Sequence, residues 1–258
     1  MPELPDLEVI SKNLDHLFAA KKVSEINIYK DKKLNAPLED FKRDIENQKL
    51  ESIKRNGKEL LLEFANKVRL GIHLMLNGEI HLLNEQDVKH QVFEIVFDDS
   101  SGFSVTDYMA QAKPILNPVE SKVPDALNKD FNLDYLKPIL SKSSKSNIKK
   151  ILTNQEIVRG VGNAYIDEIL WDARVSPLSI ASKIPEESIK KIIKSTKAVL
   201  LDAIVEIRKI GPETISGEIR SFLKVHTANS KTPTGYTINV IQLNGKKTYF
   251  TDEQKLYE

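Results

Sequence analysis

Gln155-Glu156-Ile157-Val158-Arg159-Gly160-Val161-Gly162-Asn163 is the stretch on which the reading of this sequence turns. Two glycines lead into residues 163–172, whose apolar spacing is helical, and Asn163 has the short polar side chain of an N-cap. A glycine turn entering a helix offers backbone N–H groups beside the positive end of the helix dipole, which suits a phosphate. Gly-x-Gly-Asn by itself serves equally well as a turn between helices. Its surroundings add charge: positions 137–159 hold six basic residues, Lys137, Lys142, Lys145, Lys149, Lys150 and Arg159, against one acid, Glu156. Such a cluster neutralises backbone phosphates or forms a solvated basic face.

The rest of the composition makes that cluster informative. Lys+Arg number 38 and Asp+Glu 37 in 258 residues, a net charge of +1, so a nucleic-acid partner would be met locally and not by a global field. Hydrophobic residues at 40% and charged residues at 29% describe a globular chain, and about 150 residues per domain gives one large or two small domains. There is no cysteine, which excludes disulfides, thiolate zinc sites, iron–sulfur clusters and a cysteine nucleophile. No Gly-rich nucleotide fingerprint or Ser-elbow motif is present. With no basic n-region and no apolar run long enough to span a bilayer, the expected location is cytoplasmic and nucleoid-associated, away from membranes.

Outward from the glycine turn, helical periodicity predicts helices over 133–140, 146–154, 163–172, 186–208 and 213–222. Before them, Pro114, Pro118 and Pro124 punctuate a linker, and residues 23–116 read as short strands: 23–29, 50–55, 59–64, 68–76, 79–83, 92–97 and 103–106. Asn56-Gly57 and Asn77-Gly78 each predict a hairpin turn, and Asn244-Gly245 predicts a closing hairpin between 236–243 and 246–250. At the start, Leu7, Ile10, Leu14, Leu17 and Phe18 form one helical face, with Pro5 in the first turn. The expected class is α+β: an N-terminal helix with a β-sandwich domain (1–118), a linker (119–131), a helical domain (132–222) and a terminal hairpin (223–258).

Pro2 is the first residue with chemical potential. Removal of Met1 before a small residue leaves a secondary amine; α-amino groups titrate near 7.7 to 8.0, so part is free base at neutral pH and able to attack an electrophilic carbon. Glu3 beside it can shuttle protons or simply serve the helix start. Lys58 and Lys246 follow hairpin turns, where lysines are ordinarily solvated. The histidines suggest no metal site: pairing across Asn77-Gly78 would set His73 opposite Leu82 and His81 opposite Leu74, on opposite faces.

Taken together these residues resemble the formamidopyrimidine-DNA glycosylase/endonuclease VIII family of base-excision repair enzymes. The resemblance runs the whole length: Pro2-Glu3-Leu4-Pro5 at the start, Lys58 after a strand turn, His73-Leu74 with Gly78, and residues 155–177, similar to that family's helix–two-turn–helix element through Gly160, Gly162, Asn163, Tyr165, Glu168 and Pro177. It implies a bifunctional DNA glycosylase/AP lyase: Pro2 as nucleophile at C1′ of a damaged nucleotide, Glu3 moving protons, Lys58 at the phosphate backbone or the departing base, then β,δ-elimination. Lys149 and Asn163 would hold phosphates, with His73 and Lys246 as further DNA contacts. The implied partner is damaged or abasic DNA, duplex or single-stranded, met by a monomer that uses no cofactor.

Departures from the family pattern are specific. Asp6 replaces a usual Glu. Relatives fill the space of an everted base with a Met and an Arg–Phe pair; here Leu76 stands at the Met place with Met75 beside it, and residues 107–111 hold no Arg–Phe pair, with Tyr108 or Met109 as the candidate substitutes, so the wedge is altered or missing. That change predicts a preference for single-stranded, bubble or pyrimidine-lesion substrates over 8-oxoguanine opposite cytosine. In the terminal hairpin, Lys231, Thr234, Thr251 and Gln254 stand where many relatives have four zinc-binding cysteines, which implies a zincless finger. Lys246 replaces a family arginine and loses its bidentate fork. The competing reading is a non-catalytic damaged- or structured-DNA binding protein on the same fold; an interaction module without nucleic acid requires the basic cluster to be idle.

Overall fold

Pro5 enters the first turn of α1 (Leu4–Phe18), where its missing N–H costs nothing, and Glu3 precedes the helix as an extended N-cap. Glu3 and Asp6 close a capping box: the Glu3 N–H donates to Asp6 Oδ2 at 2.8 Å, and the Asp6 N–H donates back to the Glu3 side chain. Leu7, Ile10, Leu14 and Phe18 are buried as their spacing predicts, whereas Leu17, on the flank of that stripe, is 40% exposed. Phe18 stacks on Phe97, centroids 5.0 Å apart, and leans on Phe103 at 5.5 Å.

A computed structural model describes residues 1–85 and 88–258, which divide into two units. The first comprises Met1–Glu120 and Ile207–Glu218. Beyond α1 it contains β1 (Val23–Ile28), α2 (Leu38–Ile45), β2 (Leu50–Asn56), β3 (Glu59–Phe64), β4 (Arg69–His73), β5 (Glu79–Leu82), β6 (Gln91–Phe97), β7 (Gly102–Thr106) and β8 (Lys113–Leu116). Two antiparallel four-stranded sheets, β1-β6-β7-β5 and β2-β3-β4-β8, share one apolar core with α1. This is the expected sandwich. Its inward residues alternate along β3 as Leu60, Leu62 and Phe64 and along β6 as Phe93, Ile95 and Phe97.

Three local expectations are corrected in this unit. Asn56-Gly57 does form a hairpin, with Asn56 paired to Glu59 and Gly57 and Lys58 at the tip. Asn77-Gly78 does not: β4 and β5 belong to different sheets, so His73 lies opposite Lys113 and His81 opposite Ser104. The chain changes sheet through a tight turn in which Gly78 N–H donates to the Leu74 carbonyl at 2.8 Å and Met75 takes φ 55°. A Cβ at position 78 would run into that carbonyl, so glycine is required there by close approach. The helix α2 went unread because only Phe41 and Ile45 mark its buried face. Strand β8 went unread because of Pro114, which is tolerated at a sheet edge, where no ladder donor is demanded.

The second unit comprises Ser121–Glu206 and Ile219–Glu258. It holds α3 (Leu133–Ser141), α4 (Ile148–Leu152), α5 (Asn163–Asp172), most of α6 (Glu186–Ile210), and the hairpin β9 (Asn239–Leu243) and β10 (Lys246–Phe250). Asn132 and Asn147 cap α3 and α4 through their side chains, accepting from Tyr135 and Lys150 N–H at 3.1 and 2.8 Å. Asn244 and Gly245, at φ 52° and 74°, make the two-residue turn with both residues left-handed that matches strand twist. The predicted helix over 213–222 is absent; Gly211, Pro212 and Gly217 break it. No helix among the described residues is long and apolar enough to cross a membrane.

Candidate active site and nucleic-acid interface

In the first unit, buried Pro2 forms part of the wall of a cavity of about 610 Å³ that Met1, Leu76, Asn77, Tyr108 and Glu218 also line. Glu3, 4% exposed, is oriented by the capping box with Asp6. The shorter Asp6 side chain therefore finds its partner one turn back, in the Glu3 backbone. Lys58 is steadied by a residue that sequence reasoning missed: Arg55 donates to the Gly57 carbonyl at 3.2 Å and to Glu8 of α1 at 3.0 Å, tying the hairpin tip to the first helix. Burial disfavours charge on Glu8, yet Arg55 and Lys12 outweigh it and hold its pKa below the ordinary carboxylate value.

His73 accepts the Met75 N–H at Nδ1, 3.0 Å away, so the proton of its neutral ring sits on Nε2. Burial lowers its pKa, and the charges of Lys58 and Lys113 lower it further, which keeps the ring neutral and a donor at pH 7. The four residues expected to form the wedge lie on two loops of this unit that meet through Asn77 and Met109. Leu76 is 60% exposed, Tyr108 67% and Met109 46%, and Asn77 Nδ2 lies 3.0 Å from Met109 Sδ; Met75, half-buried, belongs to the turn beneath. The loop that carries Tyr108 and Met109 is shaped by a buried carboxylate. Asp107, 2% exposed, accepts N–H bonds from Met109, Gln111 and Ala112 at 2.7–2.9 Å and so folds the loop that carries Tyr108.

In the second unit the glycine turn is built as a lock. Gly160 takes φ 98°, and Gln155 reaches across, accepting from Gly160 N–H at 3.0 Å and donating to the Val161 carbonyl at 2.8 Å. The N-cap of α5 is Gly162 and not Asn163, which is the first helical residue and donates from Nδ2 to the Lys247 carbonyl at 3.0 Å. Asn163 Oδ1 is buried with no hydrogen-bond partner.

The basic cluster is thinner than its sequence suggests. Lys149 is corrected from surface to interior: at 2% exposure, its Nζ donates to Asp167 at 2.7 Å, Thr248 at 2.9 Å and the Lys247 carbonyl at 3.3 Å. An ammonium has three donors, and these three partners are all internal. Arg159 is tied to the Val123 carbonyl at 2.8 Å and Lys137 to Glu186 at 2.6 Å. Lys142, Lys145 and Lys150 stay exposed, joined by Lys246 and Lys247 at the hairpin turn.

Two carboxylates of α5 fasten the C-terminal segment. Asp167 also receives His226 Nδ1 at 2.8 Å and Tyr249 N–H at 3.1 Å, and Glu168 accepts the backbone N–H groups of Lys224, Val225 and His226. The hairpin's four cysteine-equivalent positions do not fit a zinc ion. Lys231, Thr234, Thr251 and Gln254 offer an ammonium, two hydroxyls and an amide, and the last three are spent on hydrogen bonds: Thr234 and Thr251 to Glu253 at 2.9 and 3.2 Å, Gln254 to the Val175 carbonyl at 2.9 Å. Among the described residues no group of three or more metal-ligating side chains is arranged for an ion.

Glu253 is the centre of this arrangement, also receiving Trp171 Nε1 at 2.9 Å and pairing with Arg174 at 2.8 Å. Burial opposes its charge, but Trp171, Thr234, Arg174 and Thr251 prevail and its pKa is lowered. A depressed carboxylate contributes stability that is present above its unfolded pKa and lost as pH falls through the folded one. Glu253→Gln is expected to cost about 1–2 kcal/mol and to flatten that acid-side loss, read as melting temperature against pH, with melting insensitive to chelator.

The arrangement has relatives. The family model described as the formamidopyrimidine-DNA glycosylase N-terminal domain matches residues 1–110, and the one described as that enzyme's H2TH domain matches residues 123–215. The formamidopyrimidine-DNA glycosylase of Streptococcus mutans is 32% identical, with 97% of each chain covered, and that of Lactobacillus gasseri is 31% identical over the full length of both. Among solved structures, the Lactococcus lactis enzyme in complex with DNA containing a formamidopyrimidine lesion is similar at TM-score 0.86 and 26% identity, covering 98% of this chain and all of the other. Its complex with abasic-site DNA gives TM-score 0.85 at 25% identity. The sandwich led by Pro-Glu, the locked two-turn element and the full-length relatives lead to one assignment: this chain belongs to the formamidopyrimidine-DNA glycosylase family of DNA repair enzymes.

Proposed function

We infer that the chain is a bifunctional glycosylase and AP lyase acting on damaged DNA, with Pro2 as nucleophile. The observation that carries this reading is the position of Pro2 in the wall of a cavity of about 610 Å³, next to a Glu3 whose orientation is fixed. After Met1 leaves, the Pro2 nitrogen bonds to C1′ as the bond from C1′ to the base breaks. The amine gives up its proton, the departing base takes one, and Glu3 carries protons between them. Cleavage of the C1′–O4′ bond, with O4′ taking a proton from Glu3, then opens the sugar and leaves an iminium, which acidifies the C2′ hydrogen and so permits β- and then δ-elimination of the two phosphates. Everting the nucleotide costs a few kcal/mol, least at a damaged pair.

Neutral His73 and the ammonium of Lys58 suit a phosphate in the first unit. In the second, Lys150, Lys246 and Lys247 with Asn163 provide the phosphate contacts, and Lys149 acts through them as a support. Leu76 and Tyr108 serve as the wedge. Replacing both with alanine is expected to lower excision from duplex DNA roughly 10- to 100-fold, since unstacking a step costs a few kcal/mol, while abasic single strands are processed within about twofold of the parent rate. Paired 8-oxoguanine and 5-hydroxyuracil substrates, duplex and single-stranded, make the measurement; an equal loss on both strand types would remove the wedge role. The overall reading is tested by borohydride trapping on abasic DNA. A binding protein on this fold, for which the Glu3–Asp6 capping box already accounts for both carboxylates, would bind with steep salt dependence and trap nothing.

A further inference from the structure

The Met1 α-ammonium of the unprocessed chain does not lie loose at the cavity mouth: it pairs with the carboxylate of Glu218. Glu218 is brought there independently of that pair. Its segment, residues 211–218, is moored to α1 by Asn13, whose Nδ2 donates to the Pro212 and Thr214 carbonyls at 3.0 and 2.7 Å. It is moored to β5 by the Ile80 N–H, which donates to Ser216 Oγ at 2.9 Å. Gly217, at φ 81°, then turns the chain toward the N-terminus. On the other side Pro2, Glu3 and Leu4 are buried, so the second residue is fixed whether or not the first is present.

Removal of Met1 moves the terminal charge inward by one residue, about 3.8 Å between Cα positions, and places it on the Pro2 nitrogen. We propose that Glu218 is then the counter-ion of the nucleophilic amine, holding the Pro2 ammonium in place and setting the pH at which the free base becomes available. This deepens the nucleophile assignment and rests on it. An opposite charge within about 4–6 Å favours the charged form, so the carboxylate raises the pH at which the amine loses its proton. Other ionisable groups line the same cavity: Glu79 and Glu85 flanking His81 at 3.6 and 2.8 Å, Lys89, His90 and Tyr108; Glu3, next in sequence to Pro2, is held in its capping box. Glu218 is distinguished from these by its contact with the terminal amine itself.

The test uses the full chain, with Pro2 confirmed as first residue by mass spectrometry, and follows cyanoborohydride trapping on abasic-site DNA across the pH range 5 to 9. Glu218→Gln should shift the acidic midpoint down by about 0.5 to 1 pH unit and raise trapping roughly threefold to tenfold below it. Glu218→Asp, which keeps the charge, should retain the parent midpoint, as should Glu213→Gln on the same segment. An unmoved midpoint in Glu218→Gln, or a variant that folds but traps nothing, overturns the counter-ion role while leaving the nucleophile intact. Absence of trapping by the processed parent chain overturns the nucleophile, and the counter-ion with it.

Discussion

Replacement of Pro2 by glycine is expected to lower borohydride trapping on abasic DNA by at least about 100-fold, equivalent to roughly 2.7 kcal/mol of barrier. A secondary amine condenses with C1′ to an obligate iminium, whose positive nitrogen draws electrons from C2′ at every pH. Glycine supplies a primary amine, whose imine must first be protonated, and it also removes the ring that restrains the amine nitrogen beside the Glu3 cap. A stricter form of the same prediction is available without changing any side chain. While Met1 remains, the Pro2 nitrogen is a tertiary amide with no basic lone pair, so unprocessed protein should trap nothing and gain full activity on treatment with a methionine aminopeptidase. Retained trapping by Pro2→Gly within tenfold of the parent, in protein shown to lack Met1, would show that a primary amine suffices, and peptide mapping of the reduced adduct would tell the new terminal glycine amine from a lysine, with Lys58 the first to test.

How far the sequence foretold this site depends on whether the deciding interaction is local. The α1 stripe, the Asn56-Gly57 and Asn244-Gly245 turns and α5 were legible because each is fixed by residues within a turn or two of one another. Asn77-Gly78 misled because the same dipeptide that favours a hairpin also permits the close approach of Gly78 to the Leu74 carbonyl that carries the chain from one sheet to the other. The resemblance placed Pro2 and Glu3, but not the carboxylate that meets the N-terminal amine, 217 residues away in sequence. Lys149 shows the limit most plainly. Its charge pattern was that of a phosphate-binding face, and nothing near it in sequence announces the partners it has, Asp167 18 residues on and Thr248 99 residues on. A run of lysines reports charge; only the fold reports whether the counter-charge is a phosphate or a buried aspartate.

That buried pair yields the largest stability effect expected from a single side chain. Asp167 is fully buried, and its two oxygens receive three groups: Lys149 on one and, on the other, His226 and the Tyr249 N–H, while Thr248 accepts from the same lysine. Truncation to alanine leaves the Lys149 ammonium, itself 2% exposed, without its counter-charge, and breaking one side of a buried pair costs about 3–5 kcal/mol. The cost falls on the terminal segment, because His226 and Tyr249, which Asp167 holds, and the Lys247 carbonyl and Thr248, which Lys149 holds, are among its attachments to α4 and α5. Asp167→Ala should therefore lower the melting temperature, and amide exchange should accelerate through β9 and β10 before it does so in the sandwich. It should also weaken DNA binding through the loosened Lys246 and Lys247, although Asp167 itself touches no phosphate. The second variant separates a lost charge partner from a lost shape. Asp167→Ala with Lys149→Met removes the stranded ammonium and should recover at least about 2 kcal/mol relative to Asp167→Ala alone, because an apolar replacement of both partners avoids the desolvation penalty. If the double variant is no more stable than the single, the cost lies in the hydrogen bonds to His226 and Tyr249, and the ion pair contributes little to holding the hairpin.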